Sequence, residues 1–388
     1  MRKIALVTAT RAEYGLLKPL IKKVDADANL ELQLIVTGAH LSQSFGNTYE
    51  EIEKCFTISA KIPLPLEENR PQSNSLAMAK LQTELTQTLT ELKSDIVVIL
   101  GDRYEMLSVA ATATILHIPI AHIHGGEVTQ GAMDDALRHA ITKLSHLHFT
   151  ATQEYKKRVL QMGEEPWRVH NIGALGIENI KKLKLLNREE FEESIGIKLK
   201  EKNLLITYHP ETLAALSPKE QFQELLDALE DLDDTLLIFT KANADTGGTI
   251  INSMIDTFIS EHTNAIVFTS LGQLRYFSAI QYVDGVIGNS SSGILEVPSF
   301  QKPTINIGKR QEGRLQAVSV INVSIDKQSI QKAIAQIYTP TLQEKLQHNI
   351  NPYESSHETS QQIIEVLKSV SLQDLLIKKF HTIKDCNE

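Results

Sequence analysis

The chain has 388 residues with 42% apolar and 22% charged side chains, 19 Gly and 12 Pro, and 48 acidic against 39 basic residues give a net charge of −9. That length supports two to three domains with more than one core, and the composition is that of a folded globular protein, which excludes a peptide hormone, a disulfide-stapled miniprotein, collagen and wholesale disorder. No Lys/Arg block offers itself to a run of phosphates, so nucleic acid is not expected as a partner, whereas a small phosphorylated ligand needs only a few placed cations and helix N-termini. The opening MRKIALVTATRAEYG has too short an apolar run for a signal peptide, and no run of about 18 or more apolar residues follows. The expectation is a cytoplasmic protein without a membrane partner. Cys55 and Cys386 lack a second CxxC or a His partner, so both are expected as free thiols, with no disulfide framework and no structural zinc.

Short β-branched runs alternate with helical patterns almost from end to end, which predicts an α/β fold with parallel, doubly wound sheets. In chain order the strands are expected at 4–9, 32–38, 56–60, 95–101, 118–124 and 148–151, then at 204–209, 235–240, 265–269, 283–288 and 303–307. The charged stretch KKLKLLNREEFEESIGIKLKEKN reads as a surface helix plus linker. The expected organisation is therefore an N-terminal domain over 1–175, a linker region over 176–202, a second domain over 203–355, and a C-terminal helix and tail over 356–388 that fits either domain. Ligands of such folds bind outside the carboxyl ends of the strands, so strand ends are where chemistry is expected.

At the first strand end, Thr10 and Glu13 have the spacing of a capping box, which puts Arg11 in the first helical turn as an anion contact or as a solvated side chain beside a cap. Asp102 and Arg103 follow the fourth strand; His122, His124 and Glu127 follow the fifth; Asp134, Asp135, Arg138 and His139 come next. Ionisable groups beside buried strands are the usual setting for acid–base work. On a strand His122 and His124 share a face, which admits a metal reading, but no third ligand is identifiable by spacing. In the second half His209 ends a strand, Asn243 and Asp245 follow another, GNSSSG runs from 288 to 293 ahead of an expected helix, Glu296 lies in that helix, and Arg310 follows PTINIGK. Small residues at a helix start free N–H and hydroxyl groups for a phosphate, or simply cap the helix. There is no GK[ST] and no GxGxxG, so neither an NTPase nor an ordinary dinucleotide enzyme is favoured.

Taken in order, RAEYG, GDRYE, HIHGGEVTQGAMDDALRHAITKLSH, HPET, NADTGG, GNSSSGILEV and INIGKRQEGR resemble the hydrolysing UDP-N-acetylglucosamine 2-epimerases over roughly residues 1 to 325. The resemblance implies two Rossmann-like domains of glycosyltransferase-B type with an interdomain active-site cleft, a homodimer or homotetramer, no cofactor, no metal, and a UDP-sugar as substrate. It implies conversion of UDP-GlcNAc and water to UDP and free ManNAc for sialic-acid-type synthesis. It places Arg11, His209, Asn243, Ser290, Ser291, Glu296 and Arg310 around UDP, and Asp102 and Asp134 near C1 and C2 of the sugar. UDP would leave C1, a base would take the C2 proton to give a 2-acetamidoglycal, and water would add at C1 while a proton reaches C2 from the opposite face. The candidates for the two acid–base roles are Asp102, His124, Glu127 and Asp134, and the sequence assigns no faces. Related enzymes often carry Glu where this chain has His124, a change that bears on the base or on the sugar accepted. A related branch acts on UDP-N,N′-diacetylbacillosamine for legionaminic acid, and this is the rival substrate. A metal-dependent amidohydrolase using the HIH pair, a non-catalytic nucleotide-sugar sensor and a retaining glycosyltransferase are the readings from other classes.

Overall fold

Runs such as IALV and IVVIL are apolar on both faces of a strand, which is the pattern of parallel sheets covered by helices on each side. The computed structural model describes residues 1–66, 71–129, 133–211, 216–242 and 247–383. Its first sheet is formed by β1 (Arg2–Thr8), β2 (Leu30–Thr37), β3 (Ile58–Ile62), β4 (Ile96–Leu100), β5 (Ile120–Ile123), β6 (Leu147–Thr150) and β7 (Val169–Asn171), in the order β3-β2-β1-β4-β5-β6-β7 with every pairing parallel. Ile4, Leu6, Ile96 and Val98 face a core shared with Leu17, Leu20, Ile21 and Val24 of the helix Arg11–Ala26. The alternate residues Ala5, Val7, Val97 and Ile99 face a second core with Leu81, Leu85 and Leu89, which recur every four residues on the helix Pro71–Leu92.

The second sheet comprises β8 (Lys202–Thr207), β9 (Thr235–Thr240), β10 (Ala265–Phe268), β11 (Gly285–Gly288), β12 (Thr304–Ile307) and β13 (Val320–Val323), ordered β10-β9-β8-β11-β12-β13 and again parallel throughout. Leu204, Ile206 and Phe239 pack on one face and Leu205, Leu236 and Ile238 on the other. Each sheet reverses its strand order beside its first strand, between β1 and β4 and between β8 and β11. Those switch points open a crevice at the carboxyl ends.

The contacts divide the chain into two units: the first holds Met1–Val128, residues 133–179 and the segment from Ser355, and the second is built on Ile180–Glu354. The C-terminal helix Thr359–Ser369 packs on the first unit, where Thr359 Oγ1 donates to the Ile172 carbonyl at 2.9 Å and Ser360 Oγ meets the Glu178 carboxylate at 2.6 Å. Within the stretch read as a linker, the helices Leu175–Lys182 and Arg188–Ile195 form, and Phe191, Ile195 and Leu199 are buried in a core of the second unit. A charged surface there hides one apolar stripe. The edge strands β7 and β13 have no counterpart among the expected strands, because each is three or four residues long and carries a polar residue, His170 or Asn322, in mid-run. Among the described residues no helix is long and apolar enough to cross a membrane.

Candidate active site

In the first unit the expected capping box is present at the end of β1. Thr10 Oγ1 accepts from the Glu13 N–H, while Glu13 Oε2 accepts from the N–H groups of Ala9 at 2.8 Å and Thr10 at 3.0 Å. Burial pushes the Glu13 carboxyl up to about 7, against those two hydrogen bonds and the nearby Arg103 charge. Arg11 is exposed in the first turn, its Nη2 3.8 Å from the exposed Glu51 carboxylate.

β4 runs into Gly101, whose φ of +79° turns the chain. Arg103 then makes a two-point contact with the buried Glu105 carboxylate at 3.1 and 3.0 Å, and Asp102 is ion-paired with Arg138. Because Leu100 registers against Ile123, Asp102 and His124 leave the sheet from neighbouring strands. His122 is fully buried, with Nε2 2.7 Å from the Gly101 carbonyl and Nδ1 3.2 Å from Thr142 Oγ1. A carbonyl only accepts, so Nε2 carries the proton. Burial drives the ring down to about 3, which keeps it neutral. His122 is thus a brace between β4 and the helix Met133–Leu144, which supplies both Arg138 and Thr142 from one face, four residues apart.

β5 ends at Ile123, and His124 has φ +66°, so the strand geometry that would have aligned it with His122 stops one residue short. His124 Nδ1 lies 3.3 Å from Glu127 Oε1 instead. The two glycines between them are required. A Cβ on Gly125 would crowd the His122 ring and Thr142, and one on Gly126 would meet the Tyr155 carbonyl. Among the described residues no three His, Cys, Asp or Glu side chains are grouped to hold a metal ion. Asp134 is half-buried in the first turn of Met133–Leu144, and its neighbour Asp135 pairs with His139 at 3.6 Å.

In the second unit, Gly288 closes β11 with φ +139°, against the Thr207 carbonyl that ends β8. Asn289, fully buried, spans those two strand ends: its Oδ1 accepts from the His209 N–H and its Nδ2 donates to the His209 carbonyl, both at 2.8 Å. Its own carbonyl accepts from Arg310 Nη1 at 3.0 Å and Gln311 Nε2 at 2.9 Å. Asn289 therefore joins His209 and Arg310. Glu211 adds a second clamp, Oε1 accepting from the N–H groups of Lys309 at 2.7 Å and Arg310 at 2.9 Å, and Gly308 leaves the space this carboxylate occupies. The helix expected after GNSSSG is one turn, Ser292–Leu295, followed by a 3-10 turn over Val297–Phe300 that contains Pro298. So short a helix sums few peptide dipoles, and the local polarity at Ser290 and Ser291 comes from hydroxyl and N–H groups. Ser290, Ser291 and Glu296 are half-buried along this turn. Asn243 and Asp245 lie outside the described residues.

The structure thus brings together Asp102, His124 and Glu127 at one set of strand ends and His209, Arg310 and the serine turn at another. Sequence reasoning missed Asn289, Glu211 and Thr142, which hold those groups in place. The UDP-N-acetylglucosamine 2-epimerase family model matches residues 22–368. This chain belongs to that family. Among curated relatives of the family, it is 43% identical to a GDP/UDP-N,N′-diacetylbacillosamine 2-epimerase (hydrolyzing) of Campylobacter jejuni, covering 98% of each chain. It is 38% identical to the polysialic acid biosynthesis protein P7 of Escherichia coli, over 100% of this chain and 99% of the relative. It is 34% identical to a UDP-N,N′-diacetylbacillosamine 2-epimerase (hydrolyzing) of Legionella pneumophila, over 98% and 99%. Its fold matches the S. aureus MnaA–UDP co-structure with a TM-score of 0.76 at 19% identity, covering 95% of this chain and 96% of the other. The two Rossmann-like units are those of the glycosyltransferase-B-like fold that this epimerase family shares.

Proposed function

We propose that this epimerase-family chain hydrolyses a UDP-linked 2-acetamido sugar with inversion at C2, and that the sugar is N,N′-diacetylbacillosamine. The observation that carries the substrate is the 43% identity, over 98% of each chain, to the enzyme named for it. UDP-GlcNAc, giving UDP and ManNAc, is the second reading, favoured by the description of the family model. In either case Asp102, His124, Glu127 and Asp134 are the acid–base candidates. The pairing of Asp102 with Arg138 and the contact of His124 with Glu127 on the next strand supply two distinct ionisable pairs side by side. Elimination across C1 and C2 followed by hydration needs one group to remove and another to deliver the C2 proton.

For the nucleotide, Arg11, His209, Asn243, Ser290, Ser291, Glu296 and Arg310 are the proposed contacts. The Asn289 hydrogen bonds that fix the His209 backbone and the Arg310 guanidinium favour a preorganised anion site. The chemistry is redox-neutral and asks for no cofactor. A cytoplasmic homodimer or homotetramer serving sialic-acid-type sugar synthesis completes the reading.

The test is proton NMR in D₂O without added metal, with UDP-N,N′-diacetylbacillosamine in one tube and UDP-GlcNAc in another. Free UDP with a C2-deuterated, C2-inverted sugar in the first tube alone is the expected result. Turnover only in the second moves the substrate to UDP-GlcNAc. Binding of UDP with silence in both tubes overturns the enzyme reading in favour of a nucleotide-sugar sensor.

A further inference from the structure

We infer that Lys378, far from the candidate site in sequence, is a positioning residue for the reaction proposed above, and that it acts through the helix Met133–Leu144. The inference rests on that reaction. This helix carries Arg138 to Asp102 and Thr142 to His122, so its axial position and rotation set both contacts at once. Its C-terminal end is where Lys378 arrives. Lys378 Nζ donates to the carbonyl of Lys143 at 2.8 Å and of Ser145 at 2.7 Å, and lies 2.8 Å from Glu164 Oε2. Three N–H groups thus meet three acceptors. A cation on the last carbonyls of a helix satisfies acceptors that have no intrahelical partner and faces the negative end of the dipole.

Glu164 locks the arrangement. Its side chain is fully buried and also meets Lys143 Nζ at 2.5 Å and His148 Nε2 at 3.0 Å. Burial alone would raise this carboxyl, but hydrogen bonds from His148, Lys143 and Lys378 outweigh it and bring the group down to about 2. The carboxylate ties the helix end, strand β6 and the tail to one point.

The tail that delivers Lys378 is fastened on both sides. Before it, the fully buried Arg168 donates to the carbonyls of Leu375 at 2.8 Å and Ile377 at 2.7 Å, and Leu375 sits in the core. After it, the His381 N–H donates to the Gly163 carbonyl at 2.9 Å, and the Phe380 ring lies where a Gly163 Cβ would be. Misplacing a catalytic group by about 1 Å can cost on the order of 10²-fold in rate. None of the proposed nucleotide contacts lies on this helix or tail, so disturbing Lys378 should reach turnover and leave UDP binding alone.

The experiment compares full-length wild type, Lys378→Met and Lys378→Arg in steady-state turnover, with UDP affinity by calorimetry on the same preparations. Lys378→Met is expected to lower kcat at least tenfold with KM and UDP affinity within twofold, and Lys378→Arg, which keeps a cation and donors, to recover most of the loss. If Lys378→Met melts below assay temperature, Phe380→Ala loosens the same tail without removing the ammonium and should lower kcat about threefold at unchanged KM. A kcat within twofold of wild type in the folded variant, a parallel loss of UDP affinity, or no recovery in Lys378→Arg overturns the inference. No turnover by wild type itself would instead defeat the proposed reaction.

Discussion

Asn289 and His209, eighty positions apart, exchange two 2.8 Å hydrogen bonds in which one side chain pairs both the backbone N–H and the carbonyl of a residue two positions beyond the end of β8. Removing that side chain takes both of these hydrogen bonds from a buried N–H and a buried carbonyl. Asn289→Ala should cost about 3 kcal/mol of stability and weaken UDP binding, because the carbonyl that holds Arg310 and Gln311 is then free to shift. Urea denaturation and UDP calorimetry read the two effects; a stability loss below about 0.5 kcal/mol would contradict the clamp.

Two glycines separate backbone strain from helix propensity. Gly288, at φ +139°, has no room for a Cβ beside the Thr207 carbonyl, so Gly288→Ala should destabilise the second unit by about 3 kcal/mol or more. Gly15 lies within the helix Arg11–Ala26 with open space around it, so Gly15→Ala should stabilise the first unit by about 0.5–1 kcal/mol. Thermal melts of both variants check the opposite signs.

Glu13 makes stability depend on pH in an uncommon direction for a carboxyl. Raised from 4.5 to about 7 chiefly by burial, it holds its proton in the folded state where the unfolded chain has lost it. Its contribution is full below pH 4.5 and is lost as pH rises through 7. The size is on the order of 3 kcal/mol. Glu13→Gln mimics the protonated form and keeps an acceptor for Ala9 and Thr10, so between pH 5 and 8 wild type should lose urea resistance relative to this variant. Parallel curves would remove Glu13 as the cause.

Asp102→Asn retains the shape of the side chain but not its charge or basicity. Turnover should fall by about 10²–10⁴-fold while UDP affinity stays within a few-fold, because Arg138, with which Asp102 pairs, is not a proposed nucleotide contact. Product formation by NMR and UDP calorimetry test this pair of outcomes. Unchanged turnover would take Asp102 out of the mechanism.

The strands were readable because parallel sheets bury both faces and so leave continuous apolar runs such as those around Val97 and Phe239. Such runs carry no period that fixes their ends, and the strands expected at 204–209 and 56–60 form over Lys202–Thr207 and Ile58–Ile62. The capping box at Thr10 was readable because its two partners are three residues apart. The groups that hold the candidate site were not. Asn289 finds His209, and Glu211 finds Arg310, across chain separations of 80 and 99 residues, and a single polar residue after a strand has no period to betray its partner. The HIH pair misled for a local reason: the alternation rule requires a continuing strand, and His124 at φ +66° is outside it.

The C-terminal helix supplies Ile363, Ile364 and Leu367 to the core of the first unit, and this sets the order of events during synthesis. Once Asn179 has emerged from the ribosome, the helix Arg11–Ala26 already has the apolar residues that cover this face of the first sheet, but the core still lacks these three side chains, and the whole second unit must be translated before they exist. At roughly 5–20 residues per second the wait is about 10–40 s. Until then the first core is incomplete, so a chain truncated within the second unit should hold a less stable first unit than the full-length protein.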